Sequence, residues 1–315
     1  MGLSEERLLA WVSERWSSGG QRDGVLVGPG DDMAVMRGVE GSWLVAADPV
    51  VEGVHFAEGT AAARVGRKAV HRNLSDVAAM GAVPVSAVCC VAFSDRWAEA
   101  EAEALLGAMA DVGEAAGCPV VGGDVSVQAG PTVVVVTVTA ASAGVEPVLR
   151  SGARLGDGLY VSGRLGGSLM EGAGGYVHHL DFEPRVALGR RLAGDAAVRP
   201  DAMMDLSDGL VRDLPRLLKA SGGLGAEVEL GRLPIREAVL ERDGAEAWRA
   251  AIGDGEDYEL LMASAAELPE EIEGVRLTRI GEVTAAGCGL VYRRGDGGAV
   301  EAAALAGLGW EHRGG

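Results

Sequence analysis

The stretch GRKAVHRNLSDVAAMGAVPVSAVCCVAF, residues 66–93, indicates most clearly which fold to expect. Its first part belongs to an alanine-rich segment, residues 61–80, that predicts a helix, and Gly81 follows where a helix is expected to end. The apolar residues 85–93 then predict a buried strand. A helix that leads directly into a strand is typical of an α/β protein.

The same alternation of helices and strands continues outward from this stretch. It is marked by glycine and proline breaks, by alanine-rich segments and by runs of valine and threonine. The further predicted elements of this half are a helix over 4–18, a strand over 25–27, a strand over 43–51 interrupted at Asp48-Pro49, a helix from a cap at Ser94 or Asp95 to about 116, a strand at 120–121 that ends in a turn at 122–124, and a strand over 132–140.

A second unit of similar type follows residues 144–158, which are rich in glycine, proline and arginine. That composition is typical of a domain junction, and 315 residues suffice for two domains. We therefore expect an N-terminal domain over 1–148 and a C-terminal domain over 149–315. The elements predicted for the second domain are strands over 158–162, 226–230, 258–263 and 289–292 and helices over 183–194 and 208–221.

Composition and charge narrow the class of function. The chain is 48% hydrophobic and 23% charged, as globular proteins are, and its apolar runs are far shorter than the roughly 20 residues that span a bilayer. We expect no membrane span. A formal net charge of −18 argues against a nucleic-acid partner. The acidic N-terminus does not resemble a secretory signal, and four cysteines without zinc spacing favour a reducing cytoplasm.

The most informative residues are aspartates, each predicted in or beside a turn. Magnesium is bound by a few carboxylates together with water and substrate phosphates, and short aspartates on rigid turns suit that chemistry. Taken singly, each is more often a helix cap or turn residue than a metal ligand, so the argument depends on the set. Asn73 lies one helical turn before one of them and would face the same site. The aspartates are Asp31, Asp32, Asp48, Asp76, Asp124, Asp205 and Asp208.

Familiar nucleotide-binding loops are absent from the sequence. There is no G-x-x-x-x-G-K-[ST] motif, and Gly28-Pro29-Gly30 lacks the third glycine of a dinucleotide fingerprint. The glycine-rich segment 163–168 could seat an anion, although a structural turn explains it better. Because the chain has only two lysines, Lys68 and Lys219, arginine or a metal would have to neutralise an anionic substrate.

The order of motifs along nearly the whole chain resembles the thiamine-monophosphate kinase family, within the superfamily of aminoimidazole-ribotide synthase and selenophosphate synthetase. NLSDVAAMGAVP, DLSDGL and GEDYELL point to the superfamily, whereas VEGVHF and the terminal GW point to the thiamine-phosphate branch. The motifs are GPGDDMAV (28–35), ADPVVEGVHF (47–56), GRKAVHRNLSDVAAMGAVP (66–84), VGGDVS (121–126), RSGARLGD (150–157), DLSDGL (205–210), GDGEDYELL (253–261) and GW (309–310).

This resemblance implies two α/β domains (an α+β fold overall), with a homodimer formed by the N-terminal domain and ATP bound near the interface. It implies transfer of the ATP γ-phosphoryl group to thiamine monophosphate, assisted by several Mg²⁺ ions. No catalytic side chain is implied, because the attacking phosphate is already anionic. The positions that match the family are Asp32, Asp48, Asp76, Asp124, Asp205 and Asp208 for magnesium, Gly123, Asp124, Arg150 and Ser207 for ATP, and His55, Glu256 and Trp310 for the thiamine phosphate.

One departure from the family and several alternatives stay open at this point. The family usually has hydroxyl residues where this chain has Ala46 and Ala47, so a metal position could be weakened, another oxygen could replace the ligand, or the substrate could differ. His55 could be a packed histidine, and Glu256 could lie in an ordinary acidic turn. The rival functions are another ATP-dependent enzyme of the superfamily, or a non-catalytic protein that binds magnesium or nucleotide.

Overall fold

The computed structural model describes residues 25–27, 31–38, 41–175, 177–295, 297–300, 305 and 307–309. Three sequence predictions lie outside these residues: the helix over 4–18, the loop Gly28-Pro29-Gly30, and Trp310 as a substrate contact.

Residues of the first half form a six-stranded sheet. Its spatial order is β1-β2-β3-β6-β4-β5, with β4 and β5 parallel and the other neighbouring pairs antiparallel. The strands are β1 (Val25–Val27), β2 (Ala34–Arg37), β3 (Ser42–Val51), β4 (Val83–Ser94), β5 (Val120–Gln128) and β6 (Val133–Ala141).

One face of this sheet is covered by two helices, α1 (Ala62–Ala79) and α2 (Glu99–Ala115). Along β6 the even-numbered residues 134–140 are fully buried beneath the helices, and the odd-numbered residues are only partly buried. Side chains alternate between the faces of a strand, so the odd-numbered positions define a second face. We call this uncovered side the open face; it includes Trp43, Val88 and Cys90.

Residues of the second half form an eight-stranded sheet with the path β14-β13-β9-β12-β7-β10-β8, and β11 pairs with β12. Its core includes Leu210, Leu214 and Leu217, which share one face of α5. The elements are β7 (Gly158–Ser162), α3 (His178–Asp181), α4 (Val186–Gly194), β8 (Ala202–Asp205), α5 (Leu210–Ala220), β9 (Gly225–Glu229), α6 (Glu237–Asp243), α7 (Trp248–Gly253), β10 (Leu260–Ser264), β11 (Glu271–Ile272), β12 (Val275–Thr284), β13 (Leu290–Arg293) and β14 (Ala299–Val300).

Helix α1 lies between the two sheets and packs closely on α4. A Cβ at Gly189 would lie 2.0 Å from the carbonyl oxygen of Ala78, and a Cβ at Gly81 would lie 2.3 Å from the Cβ of Ala193. Only glycine allows these backbones to approach so closely. The helix therefore presents its C-terminal half, which carries Asp76, directly to β8 and the second half of the chain.

Three local predictions are wrong. Strand β3 is not interrupted at Asp48-Pro49; β2 pairs it only as far as Val45, so the missing N–H of Pro49 leaves no strand partner unsatisfied. The turn predicted at 122–124 is part of β5, where parallel pairing with β4 holds the chain extended. Helix α2 begins at Glu99 rather than after Ser94 or Asp95, and Glu101 caps it by accepting the N–H of Ala98.

Among the described helices, none combines the length and the apolar character needed to cross a membrane. All four cysteines are free, with Cys89 and Cys118 buried and Cys90 and Cys288 exposed.

Candidate active site

Three of the predicted metal ligands meet where α1 faces β8. Asp32 precedes β2, Asp76 lies in the last turn of α1, and Asp205 ends β8. One carboxylate oxygen from each lies within 4.8 Å of the other two. Two oxygens on one Mg²⁺ are at most about 4.2 Å apart, so a shift of a few tenths of an ångström would let all three bind one ion. We call these residues the aspartate cluster.

The electrostatics of the aspartate cluster also fit a cation. Burial raises the pKa of Asp76 well above its usual range, and the charges of Asp48, Asp205 and Asp32 raise it further. Burial and the neighbouring Asp32 raise the pKa of Asp205 in the same way. Carboxylates that repel one another in a buried place are stabilised when a cation binds between them.

Two arginines form ion pairs with Asp32 and with the nearby Asp48. The guanidinium of Arg150 donates to both oxygens of Asp32, at 2.7 and 2.9 Å, and the Arg150 backbone N–H donates to Asp31 at 3.1 Å. The Nε of Arg72 lies 2.9 Å from Asp48. Asn73 accepts the backbone N–H of Asp48 at 3.2 Å and so lies beside that aspartate. Arg150 is thus a fixed positive charge beside the aspartate cluster.

A buried carboxylate shapes the loop that follows β8. Asp213 accepts the backbone N–H groups of Ser207 and Asp208, at 3.1 and 3.0 Å. Asp208 itself lies 2.6 Å from Arg216, outside the aspartate cluster. Burial raises the pKa of Asp213 to about 7, with a further contribution from Asp208. Sequence reasoning missed Asp213, although a charged residue on the apolar face of α5 was a usable signal.

Asp124 is not brought into the aspartate cluster. It lies opposite Cys90 in the sheet register, on the open face, whereas Asp48 contacts α1 on the other face. Three strand spacings separate β5 from β3, roughly 14 Å in a flat sheet. Gly123 has a packing role here, because a Cβ would lie 1.8 Å from the carbonyl oxygen of Cys89. The metal and ATP roles of Asp124 and Gly123 stay predictions.

The predicted position "in or beside a turn" is wrong for two of the aspartates. Asp48 and Asp124 lie within strands, whereas Asp76 lies at a helix end, in the last turn of α1. The two alanines before Asp48 point to different sides. Ala46 packs towards the core on the face that also carries Asp48, and Ala47 is exposed on the open face. A hydroxyl lost at position 46 would therefore be nearer the Asp48 side chain than one lost at 47.

His55 and Glu256, two of the predicted substrate contacts, meet around a buried lysine. Lys68 donates to the carbonyl oxygen of His55 at 2.7 Å and to Glu256 Oε1 at 2.6 Å. His179 Nδ1 lies 2.9 Å from Lys68 Nζ and 3.1 Å from Glu256 Oε2. Burial disfavours the ionised carboxylate, but the hydrogen bond of His179 and the charge of Lys68 overcome it and lower the pKa of Glu256 to about 2.

The glycine-rich segment 163–168 serves as a structural turn. The N–H of Gly166 donates to Asp257 at 2.9 Å, and the N–H of Gly167 donates to Asp254 at 2.7 Å. Since carboxylates of the protein already accept these two donors, the turn is not arranged to receive an anion. The structural alternative is the better explanation.

Comparison with known proteins places the chain in a family. Residues 30–142 match the family described as AIR synthase related protein, N-terminal domain, and residues 162–293 match its C-terminal domain. The thiamine-monophosphate kinase of Rhodopirellula baltica is 37% identical over 300 residues, 89% of each chain. That of Halobacterium salinarum is 36% identical over 302 residues, 92% of this chain and 96% of the relative.

Solved structures agree. The structure described as AaThiL complexed with AMPPCP and TMP has a TM-score of 0.81 and 28% identity, and the alignment covers 99% of each chain. Thiamine monophosphate kinase from Aquifex aeolicus has a TM-score of 0.74 and 27% identity over 95% of this chain and 100% of that chain. Hydrogenase maturation protein HypE in complex with ATP has a TM-score of 0.66 at 19% identity over 84% of this chain and 86% of that one, which shows a common fold alone.

The two matched domains and the aspartate cluster between their sheets define an AIR synthase related protein, and they confirm the α/β (α+β) two-domain fold. Within this class, the chain belongs to the thiamine-monophosphate kinase family. The resemblance recognised in the motifs is therefore confirmed over most of the chain.

Proposed function

We propose that this chain transfers the γ-phosphoryl group of ATP to the phosphate of thiamine monophosphate, giving thiamine diphosphate and ADP. The relatives named above are thiamine-monophosphate kinases, and one neighbouring structure is described with AMPPCP and TMP. The observation that carries the proposal is the aspartate cluster, in which three carboxylate oxygens lie within 4.8 Å of one another.

Mg²⁺ is the cation we propose for the aspartate cluster. Asp32, Asp76 and Asp205 would hold it, and Asp48 and Asp208 lie on the adjoining elements as further oxygen donors. When bound there, Mg²⁺ would supply positive charge that offsets the negative charge of the phosphates during phosphoryl transfer. The closely spaced hard oxygen donors and the raised pKa values of Asp76 and Asp205 support this assignment.

The protein's own task is then to bind and orient two anionic substrates. The acceptor phosphate is mostly deprotonated near neutral pH, because its second pKa is about 6, so no side chain has to remove a proton. Arg150, held against Asp32, offers a positive charge to ATP, and the loop at Ser207 lies beside it in the second half. We propose His55, Glu256 and Trp310 for the thiamine phosphate, and Gly123 and Asp124 as further ATP contacts.

A homodimer is proposed from the open face of the first sheet. Val88 and Trp43 are both 41% exposed there. β5 is an edge strand among the described elements, and Val121, Val125 and Val127 on it are more than half exposed. Val125 and Val127 pair with Val91 and Phe93, so they add exposed apolar area at the strand edge, on the face opposite the open face. An uncovered apolar sheet face next to an unpaired strand edge is typical of a surface that a second copy covers. Asp124 lies on this face, so ATP near the interface would be within its reach.

Charging the open face should separate the subunits. We expect Val88→Glu to weaken dimer formation at least about 100-fold, because a carboxylate would be buried without a partner. Sedimentation equilibrium over a range of protein concentrations measures the change. Leu240→Glu on α6, where the leucine is 46% exposed, is the matched control and should leave the dimer intact. Equal dimer stability in wild type and Val88→Glu would contradict the proposed interface.

We also propose the domain boundary near residue 148 and a reducing cytoplasm as the setting. Residues 142–157 join the last strand of the first sheet to β7, the first strand of the second, which supports the boundary. The four free cysteines support the compartment.

The test of the proposed function is direct. The purified protein is incubated with ATP, Mg²⁺ and thiamine monophosphate, and thiamine diphosphate and ADP are separated and quantified. We expect equal amounts of the two products. ATP consumption without thiamine diphosphate, or no reaction at any Mg²⁺ concentration, would remove the proposal.

A further inference from the structure

Lys68 is an unusual residue for the interior of this protein. Its side chain is 0% exposed, in the buried face of α1. Lysine is almost never fully buried unless its charge is paired, and burial lowers the pKa of Lys68 while the charge of Glu256 opposes that effect. The sequence has only one other lysine, Lys219, which is exposed on α5.

The ammonium of Lys68 donates to two acceptors, His55 O at 2.7 Å and Glu256 Oε1 at 2.6 Å. His179 Nδ1 lies 2.9 Å from Lys68 Nζ and 3.1 Å from Glu256 Oε2, and one ring nitrogen cannot accept from the ammonium and donate to the carboxylate at the same time. Its hydrogen bond to Glu256 makes this nitrogen a donor, so His179 holds the second oxygen of the carboxylate that Lys68 holds by the first. Because the Lys68 side chain is 0% exposed, a ligand does not reach its ammonium directly. Whatever Lys68 does for a substrate, it does through the groups that it holds.

The Glu256 carboxylate is held from several directions in a strained turn. Tyr258 Oη donates to Glu256 Oε1 at 3.3 Å, and Tyr258 stacks on Phe182 with ring centroids 3.9 Å apart. Glu256 and Tyr258 both have positive φ, 51° and 50°, a conformation that costs energy for residues other than glycine. Only interactions that fix the surrounding structure can maintain it.

The same turn connects Lys68 to the aspartate cluster. The N–H of Glu256 donates to the carbonyl oxygen of Ser207 at 2.6 Å, two residues after Asp205. On the other side, Lys68 lies eight residues before Asp76 on α1, a rise of about 12 Å. Lys68 and Glu256 therefore close a ring of contacts that runs through α1, the aspartate cluster and the loop after β8.

We propose that Lys68 is a positioning residue for thiamine monophosphate: its ammonium fixes the Glu256 carboxylate and the His55 backbone at a set distance from the aspartate cluster. This inference rests on the proposed function. It assigns Lys68 no contact with substrate and no part in ATP binding. Because a misplacement of about 1 Å at a substrate contact can cost about 100-fold, the effect of losing Lys68 should be large and confined to one substrate.

The first test is Lys68→Met, which keeps the length of the side chain and removes the charge. We expect the KM for thiamine monophosphate to rise about 10- to 100-fold, with the KM for ATP changed less than about twofold. A residue that only supports the fold would not separate the two substrates. Lys219→Met is the matched control and should change neither KM. Unchanged constants in Lys68→Met, or an equal rise in both, would overturn the inference.

A double variant tests whether Lys68 acts through Glu256. In a Glu256→Gln background, adding Lys68→Met should raise the KM for thiamine monophosphate by no more than about threefold, because the contact is already lost. If the double variant instead raises the KM for thiamine monophosphate by the product of the two single effects, the inference is overturned. This pair also removes both charges together, which avoids an unpaired buried charge that could unfold the single variant.

The wild-type protein supplies a measurement that needs no substitution. With lysine labelled by ¹⁵N at Nζ, the two lysines give two signals, and that of Lys68 should shift when thiamine monophosphate is added but not when a non-hydrolysable ATP analogue is added. The Lys219 signal is the internal control. A Lys68 signal that does not respond, in protein that forms thiamine diphosphate, would overturn the inference alone; protein that forms no product would overturn the proposed function instead.

Discussion

Asp76→Asn is expected to lower kcat/KM for thiamine diphosphate formation by at least about 1,000-fold while making the metal-free protein more stable. The rate falls because one carboxylate of the aspartate cluster is lost and with it the charge stabilisation that a bound cation supplies. Stability rises because the remaining carboxylates, Asp32, Asp48 and Asp205, lose a charge that repels them. Relief of one pKa unit corresponds to about 1.4 kcal/mol.

Activity assays and thermal unfolding in the presence of a chelator measure the two effects. Asp111→Asn, at an exposed position on α2, is the matched control for loss of one negative charge and should change neither quantity appreciably. A variant that is both inactive and less stable than wild type would indicate that Asp76 supports the fold rather than a cation.

Removal of Mg²⁺ should abolish turnover and should lower the Tm much more at about pH 8 than at about pH 5.5. The pKa values of Asp76 and Asp205 are raised in the folded protein. A group with a raised folded pKa contributes stability below its unfolded pKa, and that contribution is lost as the pH rises through the folded pKa. The metal-free protein is therefore less stable at high pH, because the carboxylates are ionised there and repel one another. In that ionised form they are also available to a cation.

Differential scanning calorimetry with and without Mg²⁺ at the two pH values checks this expectation. At about 100 times its dissociation constant, Mg²⁺ adds about 2.7 kcal/mol, which corresponds to a rise in Tm of about 4 °C at high pH for a chain of this length. Protons compete with Mg²⁺ at low pH, so the rise should be smaller there. A rise that is equal at both pH values, or larger at the lower one, would contradict the assignment of Asp76 and Asp205 as the cation's ligands.

The site residues that the sequence predicts are those that lie next to a recognisable helix or strand end. Asp76 stands beside a helix end marked by Gly81, and Asp205 stands between a strand and a glycine turn, so their positions follow from short-range patterns. That they meet Asp32 could be expected only from the family resemblance, since 44 and 173 residues along the chain separate it from Asp76 and Asp205.

The parts that were missed depend on contacts between distant segments. Lys68 and His179 were missed, and they come from stretches separate from each other and from the predicted Glu256. No periodicity of the sequence connects the three. A usable signal existed for Lys68, which occupies the apolar face of α1 together with Val65 and Leu74. The predicted breaks in β3 and β5 failed for a related reason, because pairing with neighbouring strands overrode the local preferences of proline and glycine.

The most direct test of the proposed cation site is to count the metal ions bound by wild type and by Asp76→Asn. Mn²⁺ serves as a paramagnetic substitute for Mg²⁺, and electron paramagnetic resonance measures the ions bound in the presence of a non-hydrolysable ATP analogue. We expect wild type and Asp111→Asn to bind Mn²⁺ alike and Asp76→Asn to bind it at least about tenfold more weakly. Equal binding by all three proteins would contradict the claim that the aspartate cluster holds the cation on which phosphoryl transfer depends.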